Sequence, residues 1–331
     1  MATIYHESDG DLKHLKGRTV SVLGYGNQGS AQAQNLRDSG VAVVVGNAPD
    51  QYREHARRDG FDALSIADAV KKADCHILLL TDEIMPQVFD ADIAPHLKPN
   101  HALVVSSGYN VSYGFLRYPS NVDVLMVAPR TIGTAVRKTY LNGRGFPSLI
   151  GVHHDASGHA RDLMLALSRA IGTLKCGAVE STCDEETLCD LFNEQSGGLY
   201  AWRRAAEVLV EAGASPEAAM LEFWASGELS DVAEVIQGHG LFGQITMHSR
   251  TSQYGQEVTG RLSPEDEAAE RRRLHRVIDR IKDGSFAKEW SLEQQAGYPT
   301  LRRVHQQNMG HPLTSIEERL LRDMGFWKGE S

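Results

Sequence analysis

The segment with the clearest chemical meaning is a glycine-rich loop, Gly24-Tyr25-Gly26-Asn27-Gln28-Gly29. A β-branched run, residues 18–23, precedes it, and a polar stretch with alanine and leucine at helical spacing, residues 30–39, follows it. In a strand–loop–helix unit the first glycine permits a tight turn, the second lets backbone approach a pyrophosphate, and the third lets helix and strand pack closely. The context predicts dinucleotide binding, with a purely structural turn as the alternative.

The second predicted strand is followed by two charged residues that would influence which nicotinamide coenzyme binds. Asp50 lies about 20 residues beyond the loop, where a carboxylate accepts hydrogen bonds from ribose hydroxyls and repels a 2′-phosphate. Arg53 follows three residues later and would instead favour the phosphate. The pattern slightly favours NADH and leaves NADPH open.

Two pairs of carboxylates in the C-terminal half have spacings relevant to metal binding. Asp190 and Glu194 are four residues apart, which places both on one helix face, one turn apart. Oxygen ligands so placed suit Mg²⁺, and an ordinary acidic helix surface is the alternative. Glu222 and Glu228 are separated by about 240° of helical rotation, so they share a face only if the helix is interrupted, for which Gly227 offers a position.

The elements that must position these residues follow from hydrophobic patterning. Short apolar runs typical of strands buried on both faces of a parallel sheet alternate with helical patterns such as residues 65–72. Over the first ~180 residues this alternation predicts an α/β Rossmann domain with a doubly wound parallel sheet, residues 1–182. Charged amphipathic stretches then replace the β-branched runs and predict an all-α domain, residues 183–331. The predicted strands are 18–23, 41–45, 75–80, 102–105, 124–127 and 148–152.

Composition excludes several classes of protein. A net charge of −9 argues against a nucleic-acid surface, which needs clustered cations. No stretch approaches the ~20 apolar residues of a membrane span, and the N-terminus lacks a basic region followed by an apolar one, so a cytoplasmic location is expected. The four cysteines show no CxxC spacing, which favours free thiols over disulfides or zinc.

Several motifs together carry a family resemblance. Besides the glycine loop, the chain contains Val127-Ala128-Pro129, Asp155-Ala156-Ser157-Gly158, Glu185-Glu186-Thr187 with Asp190-Leu191-Phe192 and Glu194-Gln195, and Tyr254-Gly255 with Val258-Thr259-Gly260. In order and approximate spacing these motifs resemble the short form (class I) of the ketol-acid reductoisomerase family. The likeness extends from about residue 3 to Trp327, essentially the whole chain.

The resemblance implies a Rossmann domain and a knotted helical domain that pairs with a second subunit, giving an intertwined homodimer or higher homo-oligomer. It also implies a two-step reaction on a 2-acetohydroxy acid or similar 2-hydroxy-3-keto acid: two Mg²⁺ ions promote alkyl migration, and the nicotinamide then reduces the new ketone. Carried over by position, Asp190 would bridge the ions and Glu194 would hold one. Glu222 and Glu228 would address the other ion, and Ser249 would contact the substrate carboxylate.

Three positions depart from the family pattern, all at the expected substrate end. The segment Ser107-Gly108-Tyr109-Asn110 has serine where the family has histidine, and Arg130 stands where the family has lysine. Arginine keeps the charge but replaces a point cation with a planar fork. In the family, the two glutamates that correspond to Glu222 and its partner are four residues apart. Ser226 stands four residues after Glu222, whereas Glu228 aligns with the second glutamate when the sequence is counted back from Ser249.

These departures leave three hypotheses. The first is an NAD(P)H-dependent, Mg²⁺-associated ketol-acid reductoisomerase; the second is a divergent paralogue that only reduces or only isomerises a different small substrate in a specialised pathway; the third is a non-catalytic cofactor-binding homologue. The candidate substrate and metal residues are Asp190, Glu194, Glu222, Glu228, Ser249, Arg130 and Ser107. The candidate cofactor-binding residues are Gly24, Tyr25, Gly26, Asn27, Gln28, Gly29, Asn47, Asp50, Arg53, Asp82 and Gly133.

Overall fold

The computed structural model describes residues 1–328, so the last three residues of the predicted second domain lie outside the described chain. Contacts divide the chain into two compact units, Met1–Asp190 and the residues from Leu191 onward. The helix Cys183–Gln195 begins at the predicted 182/183 boundary and continues past the division between the units. That domain boundary stays a prediction.

The first unit is built on a nine-stranded sheet with the strand order β1-β9-β8-β7-β6-β5-β2-β3-β4. Strands β2 to β7 pair in parallel wherever they are neighbours, whereas β8 runs antiparallel to β7 and β1 runs antiparallel to β9. The predicted Rossmann core is therefore confirmed. Strands β8, β9 and β1 extend the sheet beyond β7, with the strand direction reversed at β8. The strands are β1 (Ile4–Tyr5), β2 (Thr19–Leu23), β3 (Ala42–Gly46), β4 (Asp62–Leu64), β5 (Cys75–Leu78), β6 (Ala102–Val105), β7 (Asp123–Pro129), β8 (Ser148–His154) and β9 (Ala178–Glu180).

Helices cover both faces of this sheet. Alternate residues of a central strand pack into different cores: in β6, Val104 belongs to one hydrophobic cluster and Leu103 and Val105 belong to the other. Burial on both faces is why the central strands are continuous apolar runs. The helices of this unit are α1 (Asn27–Asp38), α2 (Gln51–Arg58), α3 (Ile66–Lys72), α4 (Met85–Val88), α5 (Tyr109–Ser112), α6 (Gly133–Leu141), α7 (Ala160–Ile171) and most of α8 (Cys183–Gln195).

The second unit is helical, as predicted, and its helices begin at recognisable signals. Serine side chains at 215, 249 and 263 accept hydrogen bonds from backbone N–H groups of the first turns that follow them. Proline occupies the first helical position of four helices, where its missing N–H costs nothing. The helices are α9 (Gly198–Glu211), α10 (Pro216–Met220), α11 (Glu228–His239), α12 (Arg250–Tyr254), α13 (Pro264–Lys282), α14 (Ser285–Gln295), α15 (Pro299–Met309) and α16 (Pro312–Asp323).

The charged amphipathic stretch over residues 216–234 does not form one continuous helix. After α10 the backbone forms a π-helical segment, Leu221–Ala225, and α11 begins only at Glu228. Gly227 separates the two with a left-handed conformation, φ +89°. Among the helices of residues 1–328, none is both long and apolar enough to cross a bilayer.

A buried polar chain crosses the centre of the sheet. The Ser21 hydroxyl of β2 lies 2.8 Å from Nδ1 of His76 in β5, and Nε2 of His76 lies 2.9 Å from Nδ1 of His101. All three residues are buried. Burial, with a smaller contribution from His101, lowers the pKa of His76 to about 3, so this imidazole is neutral in the folded protein.

The neutral His76 makes stability depend on pH. Its folded-state pKa lies below the unfolded value, so its contribution is fully present above pH ~6.5 and is lost as pH falls toward 3. We expect the free energy of unfolding, measured with urea, to fall by about 2 kcal/mol more between pH 7 and pH 5 in the wild type than in His76→Asn. His159→Asn, at an exposed position, should keep the wild-type slope. Equal slopes for the wild type and His76→Asn would contradict this assignment.

Candidate active site

The three glycines of the loop have separate structural roles. Gly24 has φ +99°, and a Cβ there would lie 2.4 Å from the carbonyl oxygen of Leu79. A Cβ on Gly29 would lie 1.9 Å from the carbonyl oxygen of Gly24, so only glycine lets helix α1 pack this closely on the loop. A Cβ on Gly26 would meet no atom within 4 Å. The open space at Gly26 is where a pyrophosphate could approach the backbone.

The N-termini of two helices meet beside this loop. Helix α1 begins at Asn27 and helix α6 at Gly133, and a Cβ on Gly133 would lie 2.1 Å from the carbonyl oxygen of Asn27. The Gln28 side chain donates a 2.8 Å hydrogen bond to the Thr131 carbonyl and ties the two segments together. Converging helix N-termini present free N–H groups and positive partial charge, which suits a bound diphosphate.

Asn47, Asp50 and Arg53 form one hydrogen-bonded group after β3. The Asn47 side chain accepts from the Tyr25 backbone N–H and donates to Asp50 Oδ1, both over 2.8 Å. The same Asp50 oxygen caps α2 by accepting from the N–H groups of Tyr52 and Arg53. The Arg53 guanidinium donates to the Asn47 carbonyl. Oδ2 of Asp50 makes none of these bonds.

A cavity of about 340 Å³ lies against this loop. It is formed by α1 and α2 together with the loop itself, and its charged side chains are Arg58 and Asp59. Asp59 accepts a 2.7 Å hydrogen bond from the Tyr25 hydroxyl, and Arg58 is the cation in the lining. The lining residues that are not among the predicted cofactor contacts are Ser30, Gln34, Tyr52, His55, Arg58 and Asp59.

A charged group occupies the carboxyl ends of β6 and β7. Arg130, directly after β7, donates over 2.7 Å to Glu186 Oε1 and over 3.0 Å to Asp190 Oδ1. Glu186 Oε2 also accepts a 2.6 Å hydrogen bond from the Gly108 backbone N–H, beside Ser107. Burial raises the pKa of Glu186, and the Gly108 N–H and Arg130 oppose that rise. The network joins one of the departures from the family pattern, Arg130, to Asp190, and its Gly108 donor directly follows another, Ser107.

Glu186 is absent from the predicted site residues, although its side chain organises this group. One sequence signal could have found it: Glu186, Asp190 and Glu194 are spaced four residues apart, so they form one stripe along α8. The Glu186 side chain is 1% exposed and that of Asp190 is 46% exposed. The stripe therefore has a buried structural end and an accessible end.

Asp82, which follows β5, interacts electrostatically with Glu186 and Asp190. Burial and the charges of Glu83, Glu186 and Asp190 raise the pKa of Asp82 to about 6, and a 2.9 Å hydrogen bond from the Asn110 side chain opposes the rise. Nearby, three buried polar atoms have no hydrogen-bond partner within the described chain: Ser106 Oγ, the Tyr109 hydroxyl and Asn110 Oδ1. Buried polar atoms are normally paired, so their state is typical of a site that receives a ligand.

The second unit holds the other predicted residues on separate elements. Glu222 lies in the π-helical segment, Glu228 is the first residue of α11, and the Ser249 side chain caps α12. The interruption that the spacing of the two glutamates requires is thus present at Gly227. Within residues 1–328, no group of three or more His, Cys, Asp or Glu side chains could hold a metal ion.

The glycine loop, the two helix N-termini and the carboxylates at the same sheet edge define an NAD(P)-dependent oxidoreductase with a Rossmann domain and an all-helical second domain. The model of the acetohydroxy acid isomeroreductase NADPH-binding domain matches residues 14–177, and the model of the ketol-acid reductoisomerase C-terminal domain matches residues 183–326. The chain belongs to the ketol-acid reductoisomerase family, and the resemblance inferred from its motifs is confirmed.

Individual relatives agree with the family models. A curated protein from Saccharolobus solfataricus, whose name also places it among the ketol-acid reductoisomerases, is 44% identical over 324 residues, covering 94% of this chain and 95% of its own. The ketol-acid reductoisomerase (NADP(+)) of Methanopyrus kandleri is 39% identical, covering 98% and 99%. The structure of an NADH-preferring ketol-acid reductoisomerase from an uncultured archean has a TM-score of 0.90 at 34% identity, covering 99% and 100%.

Alanine substitutions should separate the roles of two glycines. Gly29→Ala should lower the melting temperature, because its Cβ would overlap the Gly24 carbonyl and overpacking costs about 1–3 kcal/mol or more. Gly26→Ala should keep the wild-type melting temperature but weaken NAD(P)H binding about tenfold, measured by nicotinamide fluorescence. Wild-type coenzyme affinity in Gly26→Ala would show that phosphate does not approach the backbone here.

Proposed function

We propose that the chain catalyses the ketol-acid reductoisomerase reaction, converting a 2-acetohydroxy acid by alkyl migration and hydride transfer from NAD(P)H. The observation that carries the proposal is the position of the site groups in the first unit. The coenzyme loop follows β2, Asp82 follows β5, Ser107 follows β6 and Arg130 follows β7, and these four strands are parallel neighbours. A coenzyme on the loop would therefore extend along an edge that ends at Asp190.

We assign Mg²⁺ binding to Asp190, Glu194, Glu222 and Glu228. When bound, Mg²⁺ would act as a Lewis acid on the substrate oxygens. The described residues of one chain do not by themselves form a complete metal site, and Asp190 Oδ1 is hydrogen-bonded to Arg130. We therefore infer that a second subunit completes the site.

A homodimer or higher homo-oligomer is proposed on a separate observation. Most of the large hydrophobic side chains that are exposed in the described residues lie in the second unit, among them Leu199, Leu241, Phe242, Met247 and Tyr254. Isolated exposed hydrophobic residues are ordinary, but this many in one helical unit favours a protein partner. Ser249 would contact the substrate carboxylate from this unit.

The reaction can be tested directly. We expect the wild-type protein with 2-acetolactate, Mg²⁺ and a reduced coenzyme to oxidise that coenzyme, followed at the nicotinamide absorbance band. Asp190→Asn should abolish Mg²⁺-dependent turnover, whereas Asp184→Asn, at an exposed position of the same helix, should not. Unchanged turnover in Asp190→Asn would refute the metal assignment.

The same assay distinguishes the other hypotheses. If acetolactate fails but a 3-hydroxy-2-keto acid is reduced, the chain performs only the reductive half. If neither substrate reacts while the coenzyme still binds, the reductoisomerase proposal is wrong for this chain.

For the coenzyme, we propose a preference for NADH, supported by the carboxylate of Asp50, a residue at an exposed position. Asp50→Ser keeps a side chain that can cap α2 but removes the charge that repels a 2′-phosphate. We expect the ratio of kcat/KM for NADPH to that for NADH to rise about tenfold. Asp11→Ser, which also replaces a capping aspartate, serves as the control. An unchanged ratio in Asp50→Ser would remove the basis for this preference.

A further inference from the structure

One buried side chain connects the phosphate loop to the residues that bear on the choice of coenzyme. Asn47 directly follows β3 and is 6% exposed, although the sequence predicts it as a coenzyme contact. Its Oδ1 accepts a 2.8 Å hydrogen bond from the Tyr25 backbone N–H, and its Nδ2 donates over 2.8 Å to Asp50 Oδ1. Both ends of the amide are engaged within the protein, so the Asn47 side chain is a link inside the site.

This link holds Asp50 through a single oxygen. Oδ1 of Asp50 accepts from the Asn47 amide and from the backbone N–H groups of Tyr52 and Arg53. A carboxylate oxygen has about two lone-pair positions, so three donors saturate Oδ1. Oδ2 is therefore the oxygen of Asp50 that a ribose hydroxyl would use, and the bonds to Oδ1 fix its direction.

The backbone of the same asparagine holds the residue with the opposite preference. Nε and Nη2 of Arg53 both donate to the Asn47 carbonyl oxygen, the first over 2.8 Å. Arginine binds phosphate most strongly through two parallel N–H donors. The pair formed by Nε and Nη2 is already on a carbonyl of the chain, so Arg53 gains less from a 2′-phosphate than a free guanidinium would.

We propose that Asn47 is a positioning residue that sets the coenzyme preference, because its side chain orients the Asp50 carboxylate and its backbone carbonyl holds the Arg53 guanidinium. This inference rests on the proposed preference for NADH. A substitution at position 47 removes the amide but keeps the carbonyl. It therefore loosens Asp50 and leaves the Arg53 contact in place, so that a change in preference is attributable to Asp50.

The test is a fluorescence titration of the full-length protein with NADH and with NADPH, which measures coenzyme affinity without requiring turnover. Asn47→Ala should raise the Kd for NADH relative to that for NADPH about threefold, because a loosened Asp50 binds ribose less well and repels a 2′-phosphate less. In the Asp50→Ser background the same substitution should leave this ratio unchanged, since the carboxylate that it orients is gone.

A second variant guards against a folding defect. Asn47→Ser keeps a hydroxyl beside the Tyr25 N–H, but its side chain is one bond shorter and does not span the distance to Asp50 as well. It should change the ratio in the same direction as Asn47→Ala. Both coenzymes are titrated on one preparation, so a partly unfolded fraction affects both titrations equally.

The matched control is Asn35→Ala, because Asn35 is a buried asparagine whose amide is also engaged at both ends, by the Ile171 carbonyl and by Arg137. Its ratio of dissociation constants should equal that of the wild type. If Asn47 has only a structural role, Asn47→Ala weakens both coenzymes by the same factor, and that result would overturn the inference.

Two further outcomes separate this inference from the proposed preference. An unchanged ratio in Asp50→Ser would refute the preference for NADH itself, and with it the role of Asn47. A loss of NADPH affinity of about tenfold in Arg53→Ala, with NADH affinity unchanged, would show that the guanidinium binds the 2′-phosphate. That result would overturn the inference while leaving the role of Asp50 intact.

Discussion

Strands β7, β6, β5 and β2 are neighbours that run in the same direction, so their carboxyl ends meet at one edge of the sheet. The glycine loop, Asp82, Ser107 and Arg130 depend on that alignment, since each follows the end of one of these strands. The alignment is in turn fixed by burial on both faces, because shifting a strand by one residue would exchange its two hydrophobic sets. The site is therefore a consequence of sheet register, with loops supplying the side chains.

The buried carboxylate of Glu186 gives this edge its internal order. A carboxylate that is 1% exposed needs a cation and hydrogen-bond donors, and it obtains them from Arg130 and the Gly108 N–H. These contacts fix the end of β6 relative to the end of β7. Asp190, one helical turn further along α8, is then presented at the accessible side of the same network.

The sequence allows the fold class and the phosphate loop to be predicted because those features are local. Apolar runs identify the central strands, and glycine spacing identifies the turn before α1. The two-residue β1 and three-residue β9 could not be found, since they are too short to show a period and exist only through pairing with each other and with β8. The four-residue spacing marks Glu186 as a member of the stripe on α8, but its partners lie 56 and 78 residues away and could not be predicted from that spacing.

The departures at positions 107 and 130 are separate in sequence, but Arg130 and the residue after Ser107 contact the same carboxylate. Gly108 follows Ser107 and donates to Glu186 Oε2, while Arg130 donates to Oε1 of the same group. Replacing a histidine by serine removes a large titratable side chain, and replacing a lysine by arginine exchanges a point cation for a planar one. The substitution at position 130 therefore acts on Glu186 directly, whereas the Ser107 hydroxyl accepts a 3.3 Å hydrogen bond from the Tyr109 backbone N–H.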